Sequence, residues 1–243
     1  MAALPHPADE LPPYVDSQEQ EDPNELLQPI ILVLANQVIY SAESPDSSPL
    51  YELFSDIQSG RLNDGAHTTP LRRCQYTVKT SLDGTPRVTC RKKHIYDLKQ
   101  PPAVTAPAFP FYLERISRQA IGSLGLKKVT FPRTGYRALR FDSGSSTVPK
   151  SSEYLFEVKK KDSWNWHDSD GNLIAMEDHG DGQCRVLVTR PLSRRKLDAL
   201  VGMWCLRLWS DSVERNGEPG SWSWGEVKRI LQSSRANGFP RQI

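Results

Sequence analysis

The sequence predicts a mainly β protein: a closed antiparallel barrel threaded by one hydrophobic α-helix near the C-terminus. Between Leu197 and Trp209 runs Leu-Asp-Ala-Leu-Val-Gly-Met-Trp-Cys-Leu-Arg-Leu-Trp, in which only Asp198 and Arg207 are polar. A helix that is hydrophobic all round has to be enclosed. Its thirteen residues fall short of the roughly 20 that a membrane span needs. Ahead of it, from Leu50 to Thr189, come short strand-forming runs separated by breakers, several of them alternating apolar and polar, and these supply the enclosing wall.

Taken in order, residues 1–28 carry Pro5, Pro7, Pro12, Pro13 and Pro23 among acids and glutamines, a composition that cannot bury enough apolar surface to offset chain ordering. A disordered acidic leader is expected there. The barrel is expected over 29–210, with its enclosed helix at 193–210. Pro29–Tyr40, rich in β-branched residues, is its first strand. Further strands are expected at Leu50–Ile57, Arg73–Thr80, Thr85–Leu98, Phe111–Ile116, Tyr136–Phe141, Glu153–Lys160, Trp164–Trp166, Leu173–Glu177 and Cys184–Thr189, while Arg118–Lys128 reads equally as strand or short helix. In the second of these, Cys74, Tyr76 and Val78 share one face and Arg73, Gln75, Thr77 and Lys79 the other. Asp83-Gly84 and Asp170-Gly171 supply the positive φ of tight hairpins. Residues 211–243 form a tail in which Val227, Ile230 and Leu231 mark a short amphipathic helix over Glu226–Ser234.

Thr85-Pro-Arg-Val, His94-Ile-Tyr-Asp97, Trp164-Asn-Trp166, Asp170-Gly171, Ala175-Met-Glu177 and the run from Asp198 to Trp209 together resemble the tubby C-terminal-like superfamily, and within it fungal tubby-like proteins. The resemblance covers roughly residues 30–210. It implies a closed barrel of about twelve antiparallel strands around a hydrophobic helix, and a link to phosphoinositide binding. The chain departs from that pattern in continuing past the helix.

Residues 1–25 hold seven acids and no Lys or Arg, so setting that segment aside turns the net charge of +2 into +9 for the rest. A basic body of this kind favours anionic partners. Arg194-Arg195-Lys196 stands at the expected helix start, where cations oppose the helix dipole and an anion on the exposed N–H groups would offset it. With Arg91-Lys92-Lys93 it forms the candidate anion-binding set. Lys127-Lys128 and Lys159–Lys161 are further basic clusters. The Lys159–Lys161 run beside Trp164 comes nearest to a base-stacking platform, but core packing explains Trp164, Trp166, Trp204 and Trp209 better, and no nucleic-acid partner is expected.

No metal or cofactor is expected. Asp168-Ser-Asp170-Gly171 with Glu177 imitates part of a calcium loop, yet the first ligand position would fall on Trp166 and the flanks read as strands. Cys90 with His94, and His179 with Cys184, lack the second close ligand pair of a zinc site. Gly-x-Ser-x-Gly is absent and no catalytic constellation is recognisable, so the chain is expected not to be an enzyme. The scattered cysteines Cys74, Cys90, Cys184 and Cys205 suit a reducing compartment. With no secretory leader or transmembrane segment, the expected location is intracellular, in the cytoplasm or at a membrane surface, with the nucleus left open. The expected function is a non-enzymatic binding module recognising anionic phospholipid head groups such as phosphoinositides. The alternative is a protein–protein scaffold or regulator contacting partners through the acidic leader and the Trp222–Ser234 tail.

Overall fold

A computed structural model describes residues 22–43, 48–59, 68–80, 84–101, 109–130, 134–142, 154–178 and 180–216. Twelve strands form one closed barrel: β2 (Ile30–Ala35), β3 (Val38–Ser41), β4 (Tyr51–Leu53), β5 (Thr68–Thr80), β6 (Pro86–Lys99), β7 (Tyr112–Arg115), β8 (Ser123–Val129), β9 (Gly135–Phe141), β10 (Tyr154–Lys160), β11 (Trp164–Asp168), β12 (Leu173–Asp178) and β13 (Cys184–Val188). Each pairs antiparallel with its neighbours in sequence. The pairing of β13 with β2, Val186 opposite Leu32, closes the ring. Among the described residues, closure leaves no edge strand along the wall. A two-stranded ribbon, β1 (Leu26–Leu27) with β14 (Leu192–Ser193), leads into α1 (Arg194–Asn216).

The helix is the core. Ala199, Leu200, Val201, Met203, Trp204, Cys205 and Leu206 are wholly inaccessible, and they form one cluster with inward residues of the wall such as Leu32, Leu71, Leu113, Phe156, Trp166 and Val186. Gly202 is where the wall comes closest: a Cβ there would lie 2.7 Å from Leu113 Cδ1. The only two polar residues of the apolar run are both buried and both answered by the wall, Asp198 by Arg73 of β5 and Arg207 by Glu177 of β12. A charge kept in such an interior needs a partner, because desolvation otherwise costs several kcal/mol.

Three departures from the sequence reading have physical causes. The expected single strand Pro29–Tyr40 is a hairpin, β2 and β3, turned at Asn36 with φ 54°, a left-handed conformation that asparagine tolerates. The last part of the expected leader is ordered, since Leu26–Leu27 pairs with Leu192–Ser193. The helix continues six residues beyond 210, to Asn216, held by Ser212 Oγ donating to the Gln58 carbonyl and the Asn216 amide donating to the Ser59 carbonyl. The undecided stretch 118–128 is turn and then β8. The expected helix at Glu226–Ser234 lies outside the described residues, as does residues 1–21 of the leader.

Candidate functional site

The start of α1 sits at one mouth of the barrel, and contacts along the wall identify which mouth it is. Leu71 packs near Gly202, while Arg73, two residues further along β5, bonds Asp198 at 2.6 Å. Moving along β5 therefore leads toward the start of the helix. Tyr51 of β4 donates its hydroxyl to the same Asp198 carboxylate at 2.9 Å. Burial first, and then the Asp198 charge, push the Tyr51 phenol well above its usual range. Lys93 of β6 lies directly opposite Arg73 and shares its inward face, where its ammonium donates to Gln119 Oε1.

Arg194, Arg195 and Lys196 occupy the first turn at this mouth. Their backbone N–H groups are not open to a ligand: Arg194 donates to the Glu25 carbonyl at 2.9 Å, Arg195 to the Pro23 carbonyl at 3.2 Å and Lys196 to Ser193 Oγ at 3.4 Å. The Arg194 guanidinium holds the Glu25 carboxylate at 2.5 Å. The chain's own acidic segment thus stands where an anion was expected. The β11–β12 turn is near as well, for Lys196 acts on Asp168. Burial alone would raise the Asp168 carboxyl, but Asn172, the Asp170 amide and Lys196 hold it below the usual carboxylate range.

The other predicted cluster divides between two faces. Arg91, opposite Gln75, is exposed on the face that continues the barrel interior beyond Arg73 and Lys93. Lys92 points the opposite way and pairs with Glu52 at 2.5 Å; that contact raises its ammonium pKa and takes it out of the mouth. The structure therefore gathers Arg91, Lys93, Arg194, Arg195 and Lys196 at one end of the barrel and sets Lys92 apart.

The opposite mouth, around the end of α1, holds a cavity of about 650 Å³ lined by Tyr136, Lys160, Trp164, Arg207, Asp211 and Glu214 among others. Its charges answer one another. Arg207 Nε donates to Glu177 Oε1 at 2.8 Å and Nη1 to Asp211 Oδ2 at 2.5 Å, Tyr136 donates to Asp211 Oδ1 at 2.5 Å, and Lys128 holds Glu214 at 2.7 Å. Trp164 is covered by the Arg207 guanidinium at 5.0 Å and the Lys160 ammonium at 5.5 Å, so it is a packing residue here, with its ring against Tyr136.

The imitation calcium loop is a hairpin turn. Asp168 Oδ1 accepts from the amides of Asp170 and Asn172, Gly171 has φ 80°, and Glu177 is spent on Trp166 and Arg207. His94 contacts Asp97 at 2.7 Å, Cys184 accepts from Gln58, and His179 lies outside the described residues. Among the described residues, no group of three His, Cys, Asp or Glu is arranged to hold a metal ion. No described helix is long and apolar enough to cross a membrane. Sequence reasoning missed Arg73, Glu177 and Glu25. For the first two a signal existed: Arg73 and Glu177 sit at inward strand positions, two residues from Leu71 and Ala175, and carry the charges opposite to those of Asp198 and Arg207. No family model, curated protein or solved structure matches the chain.

Proposed function

We propose that this chain is a tubby-like, non-enzymatic binding module that recognises anionic phospholipid head groups at a membrane surface through the basic mouth at the start of α1. The observation that carries the reading is Glu25: the basic mouth already holds a carboxylate, gripped by Arg194 of the helix start. A head-group phosphate carries at least as much negative charge and more acceptor oxygens, and a guanidinium can bind it through two parallel N–H bonds. Cations near an acidic leaflet contribute about 1 kcal/mol each and are screened by salt.

The test is sedimentation with phosphatidylcholine vesicles, with and without phosphoinositide, at two salt concentrations. The parent chain pellets with the phosphoinositide vesicles at low salt, and Arg194→Gln/Arg195→Gln/Lys196→Gln loses at least about tenfold of that binding, the equivalent of 1.4 kcal/mol. Equal sedimentation of parent and triple variant overturns the reading and moves the protein–protein scaffold ahead.

A further inference from the structure

Strands β5 and β6 are longer than the wall they belong to. β4 pairs with β5 only at Leu71–Arg73, and β7 with β6 only at Tyr96–Lys99, so among the described residues no third strand pairs with Thr77–Thr80 or Pro86–Cys90. Every residue of those two segments is exposed. Since β5 runs toward the start of α1, this two-stranded arm projects from the basic mouth.

The arm is amphipathic across its two faces. Thr77 opposite Thr89 (Oγ1 to Oγ1 2.7 Å), Lys79 opposite Arg87 and Gln75 opposite Arg91 make a polar, cationic face that continues the barrel interior. On the other face Val78 lies directly opposite Val88, and the two are 66% and 61% exposed. From Thr68 to Tyr96 the sequence has seven Lys and Arg and a single acid, Asp83. An exposed valine pair on one face of a ribbon whose other face is cationic suits an environment that can answer both, met end-on by the tip of the arm. A second copy stacked valine on valine would bury the pair but leave Lys79, Arg87 and Arg91 on the opposite face unanswered, and a nucleic acid or acidic protein surface would satisfy the cations while leaving the valines in water. The boundary between phosphates and acyl chains satisfies both.

We infer that this hairpin arm is a membrane-contacting element, Val78 and Val88 entering the head-group boundary of an anionic bilayer while Lys79, Arg87 and Arg91 engage its phosphates. The inference rests on the anionic-lipid reading of the mouth, which the arm overhangs and would present to the bilayer.

Three full-length proteins test it: the parent, Val78→Ser/Val88→Ser, and Val78→Leu/Val88→Leu. Each is sedimented with phosphatidylcholine–phosphatidylserine vesicles and titrated calorimetrically with soluble inositol trisphosphate. The serine variant is expected to pellet about tenfold less than the parent and the leucine variant more, following the apolar area brought to the lipid, while all three bind the soluble head group alike. The gain in the leucine variant is an effect that misfolding does not produce. Equal pelleting of the three proteins overturns the arm, and so does a parent that binds inositol trisphosphate without pelleting. A parent that neither pellets nor binds the soluble head group overturns the mouth reading and the arm together.

Discussion

The two ends of α1 are built with the same device and left in opposite states. At each end a wall tyrosine donates its hydroxyl to a carboxylate of the helix, Tyr51 to Asp198 and Tyr136 to Asp211, and a wall charge meets a helix charge, Arg73 at one end and Glu177 at the other. Around Arg207 the charges close on themselves, two carboxylates and a Trp166 indole N–H completing the set. Around Asp198 the buried pair is also matched, but just outside it Arg194, Arg195, Lys196 and Arg91 crowd one mouth, where Glu25 pairs with Arg194. The lesson is one of position: a charge deep in the barrel is answered by the wall, and one a single turn further out, Arg194, is answered by the chain's own Glu25.

The largest expected effect breaks the closed end. Arg207→Met leaves Glu177 buried without its cation and should cost about 3–5 kcal/mol, read as a lower denaturant midpoint. Adding Glu177→Gln should recover part of the loss, because both charges of the pair are then gone. A double variant no better than the single would mean that packing, not charge, holds this end. Leu200→Ala, in the inaccessible middle of the helix, should cost about 2–5 kcal/mol and serves as the charge-free reference. Asp198→Asn keeps a hydrogen-bond partner for Tyr51 but removes the negative charge facing Arg73, and a loss of about 1.5–3 kcal/mol is expected.

Alkali should act on both ends together. Burial, followed by the carboxylate each one faces, raises the Tyr51 and Tyr136 phenols above their usual range. A raised folded pKa contributes stability that is fully present below the unfolded value, about 10, and is lost as pH climbs above it. Tyrosinate absorbance from these residues should therefore appear with unfolding rather than before it, and Tyr51→Phe/Tyr136→Phe should flatten the fall. Titration of both phenols while circular dichroism stays native would contradict the structure. The smallest effect on stability belongs to Glu25→Gln. Its pair with Arg194 is half-exposed, so the midpoint should move by no more than about 1 kcal/mol, whereas vesicle binding should increase as the competing carboxylate disappears.

How much of this was legible in the sequence follows from the range of each interaction. The enclosed helix and the β wall were readable because a run with two polar residues has no face to show to water, and alternation marks strands locally. The β2–β3 turn was missed because its left-handed residue is Asn36, followed by Gln37, and lacks the usual glycine. The arm was seen as two strands but not as an arm, because alternation is identical in a wall and in a projection. In the candidate site, the triplet Arg194–Lys196 was readable as a first turn. Its occupant was not, since Glu25 lies 169 positions away and only the β1–β14 pairing brings it there.

Because α1 follows every strand of the wall in the chain, the barrel is translated before its filling. At roughly 5–20 residues per second, the first strands wait on the order of ten seconds for the helix. Throughout that interval the inward side chains of β2 to β13 lack the helix that they enclose in the folded protein, including Asp198 and Arg207, the helix partners of Arg73 and Glu177. Closure around the helix is thus a late event that waits for α1.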